Sequence, residues 1–183
     1  MEIAIIQDET EIINEVVSIF ENQKTNTKDA DLGGGADWWF SIIALIPGLF
    51  FMGKSIDSNI EAWINIGKKL KKILSKKKTL LLIDKDAATT LAISEISAKT
   101  KINSLEIIKS TQLVENPWNG KGFEVNFAHL NFYVFIFKVN EHEFFIFGIK
   151  SNGEVVFKEY FEGTEWNFDK NWLNYNQRED YTS

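Results

Sequence analysis

Two aromatic segments late in the chain limit the fold most. Leu130 to Val139 reads LNFYVFIFKV, and His142 to Lys150 reads HEFFIFGIK. A strand turns successive side chains to opposite faces. In the first segment Phe132, Val134 and Ile136 share one face, and Tyr133, Phe135, Phe137 and Val139 share the other. Both faces are apolar, so both need cover. Helices can supply one cover. The other calls for a second layer, a partner protein, or the apolar run at Trp38–Ile46.

The surrounding residues extend these two segments into a meander. Asn140-Glu141 predicts a two-residue turn between them. Asn152-Gly153, between Ser151 and Glu154, is the strongest hairpin signal in the chain. Glu154 to Phe161 (EVVFKEYF) adds a further strand, and Phe123 to Phe127 (FEVNF) alternates as a strand does. Asn103 to Val114 has strand composition but imperfect alternation. Asn116 to Gly122 is a turn-rich loop, and Asp169 caps a short C-terminal helix that sets Trp172 and Leu173 on the sheet.

The first hundred residues have a different rhythm. EIAII at 2–6 reads as a strand, and Thr10 to Glu21 as an amphipathic helix with Ile12, Ile13, Val16, Val17 and Phe20 at helical spacing. Asn22 to Ala36 is polar and then glycine-rich, which predicts a linker. Gly33-Gly34-Gly35 matches neither of the glycine patterns that cradle phosphates. Ser55 to Ser75 is the clearest helix, with Ile56, Ile60, Trp63, Ile64, Gly67, Leu70 and Leu74 on one face. Ser58 and Glu61 have capping-box spacing. TLLLI at 79–83 is a short strand, and Asp84 caps a helix running to about Lys99.

The segment between these elements has two readings. Trp38 to Ile46 suits a fully buried strand ended by Pro47-Gly48. Alternatively Trp38 to Gly53 enters a membrane, with Trp38 and Trp39 at the interface and the lysines at 68–78 on the headgroups. That run has 16 residues, short of the roughly 20 that span a bilayer.

Charge is unevenly spread. Lys68, Lys69, Lys71, Lys72, Lys76, Lys77 and Lys78 form a block with no acid among them. Take those seven charges away and the net of −6 falls to −13. An acidic body therefore carries one basic knob, which suits a solvated helix end or an anionic partner. Arg178 is the sole arginine. Arginine is the usual bidentate reader of guanine and phosphate, so sequence-specific nucleic-acid binding is disfavoured.

Candidate chemistry is sparse. The chain has no cysteine, which removes disulfides, thiolate metal sites and thiol nucleophiles and fits a reducing cytoplasm. The acidic N-terminus MEIAIIQDE is not a signal peptide. His129 and His142 flank opposite ends of one strand, some 30 Å apart at a strand's rise, and cannot share a metal. Asp84 and Asp86 stand where carboxylates hold Mg²⁺ in some α/β enzymes, but two acids at a helix start are also ordinary capping chemistry. There is no GxSxG elbow.

The expectation is one α+β domain over 1–183. A strand/helix half (1–100) packs with an antiparallel meander half (101–183). The expected core comprises Ile5, Val16, Phe20, Ile43, Ile60, Trp63, Leu70, Leu82, Leu91, Phe135, Phe145 and Val156. The expected function is a non-catalytic, cofactor-free protein-binding module, of the class to which bacterial immunity and defence-associated proteins belong. The alternative is a membrane-surface or membrane-embedded protein. The lysine block is the expected contact with a partner or anionic surface, and Trp118, Tyr133, Trp166 and Trp172 are aromatic interface candidates.

Overall fold

A computed structural model describes residues 1–6, 10–19, 25–31, 39–45, 60–76, 80–113 and 132–163. They form β1 (Glu2–Ile6), α1 (Thr10–Ile19), β2 (Thr25–Asp31), β3 (Trp39–Leu45), α2 (Ile60–Leu74), β4 (Leu80–Ile83), α3 (Lys85–Ser97) and β5 (Leu105–Leu113). The last three strands are β6 (Phe132–Val139), β7 (Glu143–Lys150) and β8 (Val155–Glu162). The class is α+β.

Two antiparallel sheets are built from these strands. The first has the order β2-β3-β1-β4, and the second is the meander β5-β6-β7-β8. β1 lies between β3 and β4, with Ile3 opposite both Ile43 and Ile83. The apolar run at 39–45 is thus a strand of the first sheet, paired on both sides. No helix among the described residues is long and apolar enough to cross a membrane.

The expected linker at 22–36 contains β2, which pairs with β3 along its whole length. TNTKDAD lacks the apolar alternation that marks a half-buried strand. β2 is the outermost strand of its sheet among the described residues, and polar, charged residues suit an edge. Its pairing with β3 supplies what its own composition does not signal.

α3 is the central element. Asp84 caps it with extended backbone (φ −80°, ψ 178°), its Oδ1 accepting the Ala87 N–H at 2.8 Å. It touches β1 and β4 of one sheet, β6 and β7 of the other, and lies along α2. Ala87, Ala88, Leu91, Ala92, Ile93 and Ile96 are buried, together with Thr89, Thr90 and Ser94. A helix enclosed on nearly every side needs small side chains and internal partners for its hydroxyls. Thr90 Oγ1 donates to Ala87 O and Ser94 Oγ to Leu91 O, both at 2.8 Å.

α2 crosses α3 where Gly67 faces Thr90 and Ser94. A Cβ added at Gly67 would stand 2.2 Å from Thr90 O and 2.7 Å from Ser94 Cβ. The buried face of α2 is Trp63, Ile66, Gly67, Leu70 and Ile73. This is rotated from the stripe expected from sequence: Ile60, Ile64 and Leu74 are only half-buried. Apolar residues spread over more than half of the α2 surface, so periodicity fixes the helix but not which edge of the stripe faces inward.

The second sheet turns Tyr133, Phe135, Phe137, Val139, Phe145, Phe147 and Ile149 into the core. Phe137 meets Phe147 edge-on, with ring centroids 6.1 Å apart at 77°. On the other face Ile136 and Phe144 are buried as well, while Phe132, Val134 and Ile146 are half-buried. Tyr133 OH of the second sheet donates to Ile83 O at 2.8 Å, and Ile83 N–H donates to Ser151 O in the β7–β8 turn at 2.7 Å.

The imperfect alternation at 103–114 has a cause: the β5–β6 register slips between Ile107 and Lys109. One extra residue reverses the facing of the rest of the strand. The turn at Asn140-Glu141 has positive φ at both residues (49° and 69°) but also takes in His142, because Val139 pairs with Glu143. The Asn152-Gly153 hairpin closes with Gly153 N–H on Lys150 O at 2.9 Å and Gly153 at φ 81°. Val156, expected in the core, is 48% exposed. It lies on β8, the outermost strand of its sheet among the described residues, where the β7–β8 register slips between Gly148 and Ile149. Of the other expected core residues, Ile5, Val16, Trp63, Leu70, Leu82, Leu91, Phe135 and Phe145 are buried, and Ile60 is half-buried. Phe20, the side chain of Ile43, the expected strand at 123–127 and the expected C-terminal helix lie outside the described residues.

Candidate interaction surface

The helical repeat of 3.6 residues fixes the charged face of α2. With Trp63, Ile66, Leu70 and Ile73 turned inward, Lys68, Lys69 and Lys72 fall on the opposite side; all three are exposed, as is Lys76 just past the end of the helix. The lysines do not all behave alike. Lys71 leans toward α3 and hydrogen-bonds Glu95. Lys158 of β8 reaches the same carboxylate at 3.0 Å. For Lys68 and Lys72 no acid stands within ion-pair distance among the described residues. Lys77 and Lys78 lie outside the described residues.

Glu95 does not stand out as a special residue in the sequence. Its one signal there is that it is the lone acid in the last three turns of a helix otherwise enclosed. Burial raises its pKa. The hydrogen bonds and charges of Lys71 and Lys158 outweigh that and hold the carboxyl below its ordinary value. The arrangement ties α2, α3 and β8 together. It is structural, because both lysines already satisfy the carboxylate.

Beside the lysine face, a shallow groove of about 990 Å³ separates the start of α2 from residues 97–103. Half-buried Ile60, Ile64 and Ile102 give it an apolar floor. Lys68, Lys99 and Lys101 line it, against one acid, Glu61. Lys99 bends away to place Nζ 3.2 Å from the Tyr160 ring centroid. The 97–103 segment is held by Asn140, whose Oδ1 accepts the Asn103 N–H at 2.8 Å and whose Nδ2 donates to Lys101 O at 2.7 Å.

The other polar clusters have structural duties. Tyr160 OH donates to Glu162 at 2.7 Å and lies 3.4 Å from Glu143. The bond to Glu162, with desolvation and both carboxylates, pushes its pKa up to about 12, so it serves as a donor and not as a base. Asp84 is a cap, and Asp84 and Asp86 lie 3.7 and 3.4 Å from the Met1 amino group. Among the described residues no group of three or more His, Asp or Glu side chains is placed to hold a metal. His142 is exposed, and His129 lies outside the described residues.

The aromatic interface candidates fare differently. Tyr133 is fully buried and spends its hydroxyl on Ile83 O, which removes it from the surface. The inward parity it shares with Phe135 and Phe137 foretold this. Trp118, Trp166 and Trp172 lie outside the described residues. The groove and its Asn140 clasp are not readable from sequence, because they depend on how the 97–103 connection meets a turn almost forty residues later.

Comparison with protein-family models finds no match, and neither do comparisons with curated proteins and with solved structures.

Proposed function

We propose that this chain is a non-catalytic protein-binding module that engages an acidic partner protein through the lysine face of α2, in the manner of immunity and defence-associated proteins that hold one cognate partner. One observation carries this reading. Lys68, Lys69 and Lys72 are exposed along one side of a helix whose other side is locked in the core, with exposed Lys76 just past its end. Such a helix is rigid, so its backbone needs no ordering before its lysines meet a partner. A cluster of one sign on a body of the other sign steers encounter and selects a partner of complementary charge. The absence of cysteine suits a reducing compartment, and we place the module in the cytoplasm.

An anionic membrane surface would meet the same lysines, but it is served less well. Helices that lie on bilayers insert an apolar face. The apolar face of α2 is spent on α3, with Trp63, Ile66, Leu70 and Ile73 all buried. Charge alone would have to hold the lipid, at about 1 kcal/mol per lysine.

The test is capture of a partner from the native host at low and high salt, by the wild-type chain and by Lys68→Glu/Lys69→Glu/Lys72→Glu. Capture should weaken steeply with salt and be abolished in the triple variant. Capture unaffected by both changes would dismiss the lysine face. Flotation of the chain with phosphatidylserine vesicles, lost in the same variant, would favour the membrane.

A further inference from the structure

Resting on the lysine-face reading, we infer that the partner presents an acidic peptide segment carrying a large apolar side chain, which seats in the groove between α2 and residues 97–103. The groove is continuous with the lysine face, because Lys68 belongs to both. Its floor of Ile60, Ile64 and Ile102 offers apolar contact that a purely polar ligand would waste. Its volume of about 990 Å³ is at the upper end of what a compact ligand fills, and so has room for a side chain with its flanking backbone. Its charge is the reverse of the chain's: Lys68 and Lys101 stand against Glu61, with Lys99 turned to the Tyr160 ring, on a molecule whose net is −6. Carboxylates flanking an apolar anchor match that lining, and apolar anchors in partly enclosed pockets carry most of the affinity of such contacts. The wall is fixed from behind. The Asn140 side chain holds it by bonding Lys101 O, Asn103 N–H, Ser104 N–H and the Glu143 carboxylate. A groove with a pinned wall binds without first ordering itself.

Two fluorescein-labelled twelve-residue peptides test this by anisotropy: glutamates with two leucines four residues apart, and the same peptide with serines for the leucines. The leucine peptide is expected to bind at least tenfold tighter. Ala62→Trp fills the groove from an exposed helix position and should bring the leucine peptide down to the serine peptide's affinity. Lys101→Gln should weaken both peptides severalfold. An unchanged melting temperature shows that Ala62→Trp is folded. Equal affinity of the two peptides, no binding of either, or no effect of Ala62→Trp overturns the groove inference. The lysine-face reading is judged separately: Lys69→Glu/Lys72→Glu lies off the groove, and if it still abolishes capture of the native partner, that reading stands when the groove does not.

Discussion

Gly67→Ala adds a single methyl group at the crossing of α2 and α3. Built without any shift, the new Cβ stands 2.2 Å from Thr90 O, 2.9 Å from Thr90 C and 2.7 Å from Ser94 Cβ. Two of these atoms are backbone of a helix buried on nearly every side, so they cannot swing away as a side-chain end would. The helices must separate by roughly 1 Å to restore ordinary contact, which loosens the packing of Trp63, Leu70 and Leu91 around the crossing. Overpacking of this kind costs about 1–3 kcal/mol, and the rigid backbone places it near the top of that range. The alanine returns about 1 kcal/mol through better helix propensity. The expected net loss is about 2 kcal/mol. In a chain of this length that lowers the melting temperature by roughly 4–8 °C. Urea unfolding followed by circular dichroism measures it, with the slope unchanged. Asn65→Ala, on the exposed side of the same helix, is the control and should be neutral or slightly stabilising. A Gly67→Ala protein as stable as wild type, or more stable, would refute the crossing.

Other expectations concern the joints between elements. Tyr133→Phe removes the hydroxyl that meets Ile83 O and should cost about 1–3 kcal/mol in the same urea assay, since a buried carbonyl loses its donor. Asn140 supplies both a positive φ and the clasp on 101–104; Asn140→Gly keeps only the turn, so it should destabilise by about 1–2 kcal/mol and Asn140→Ala by more, as hydrogen exchange of the Asn103 and Ser104 amides would show. Glu95 has a folded pKa below its unfolded one. Its contribution is therefore present above the unfolded value of about 4.5 and is lost as pH falls through the folded value; stability measured from pH 6 down to pH 3 should fall less steeply in Glu95→Gln than in wild type.

Local signals and tertiary effects divide the legible from the illegible in this chain. The strands β6 to β8, the Asn152-Gly153 turn and the Asp84 cap rest on local signals and could be read directly, whereas the run at 39–45 left a membrane reading open beside the strand. β2 could not, since Thr25–Asp31 is a strand only because β3 lies beside it. The orientation of α2 was ambiguous because its apolar residues outnumber the positions that α3 can bury. Val156 looked like core because alternation carries no information about the register slip at Gly148. The exposed lysines at 68, 69 and 72 were legible as a basic block. That one of the block, Lys71, is neutralised by Glu95 depends on a contact between residues 24 apart.

The proposed role of the lysine face of α2 in binding a partner is tested most directly by lysine footprinting. The chain is treated with a limiting amine-reactive acetylating reagent, alone and in complex with the partner captured from the native host, and modification is read at each lysine by mass spectrometry. Severalfold protection of Lys68, Lys69 and Lys72 is expected in the complex, with Lys109 on β5 and Lys150 on β7 modified as before. Equal modification of the α2 lysines in the free and bound chain, with protection elsewhere, would contradict the lysine face as the binding surface.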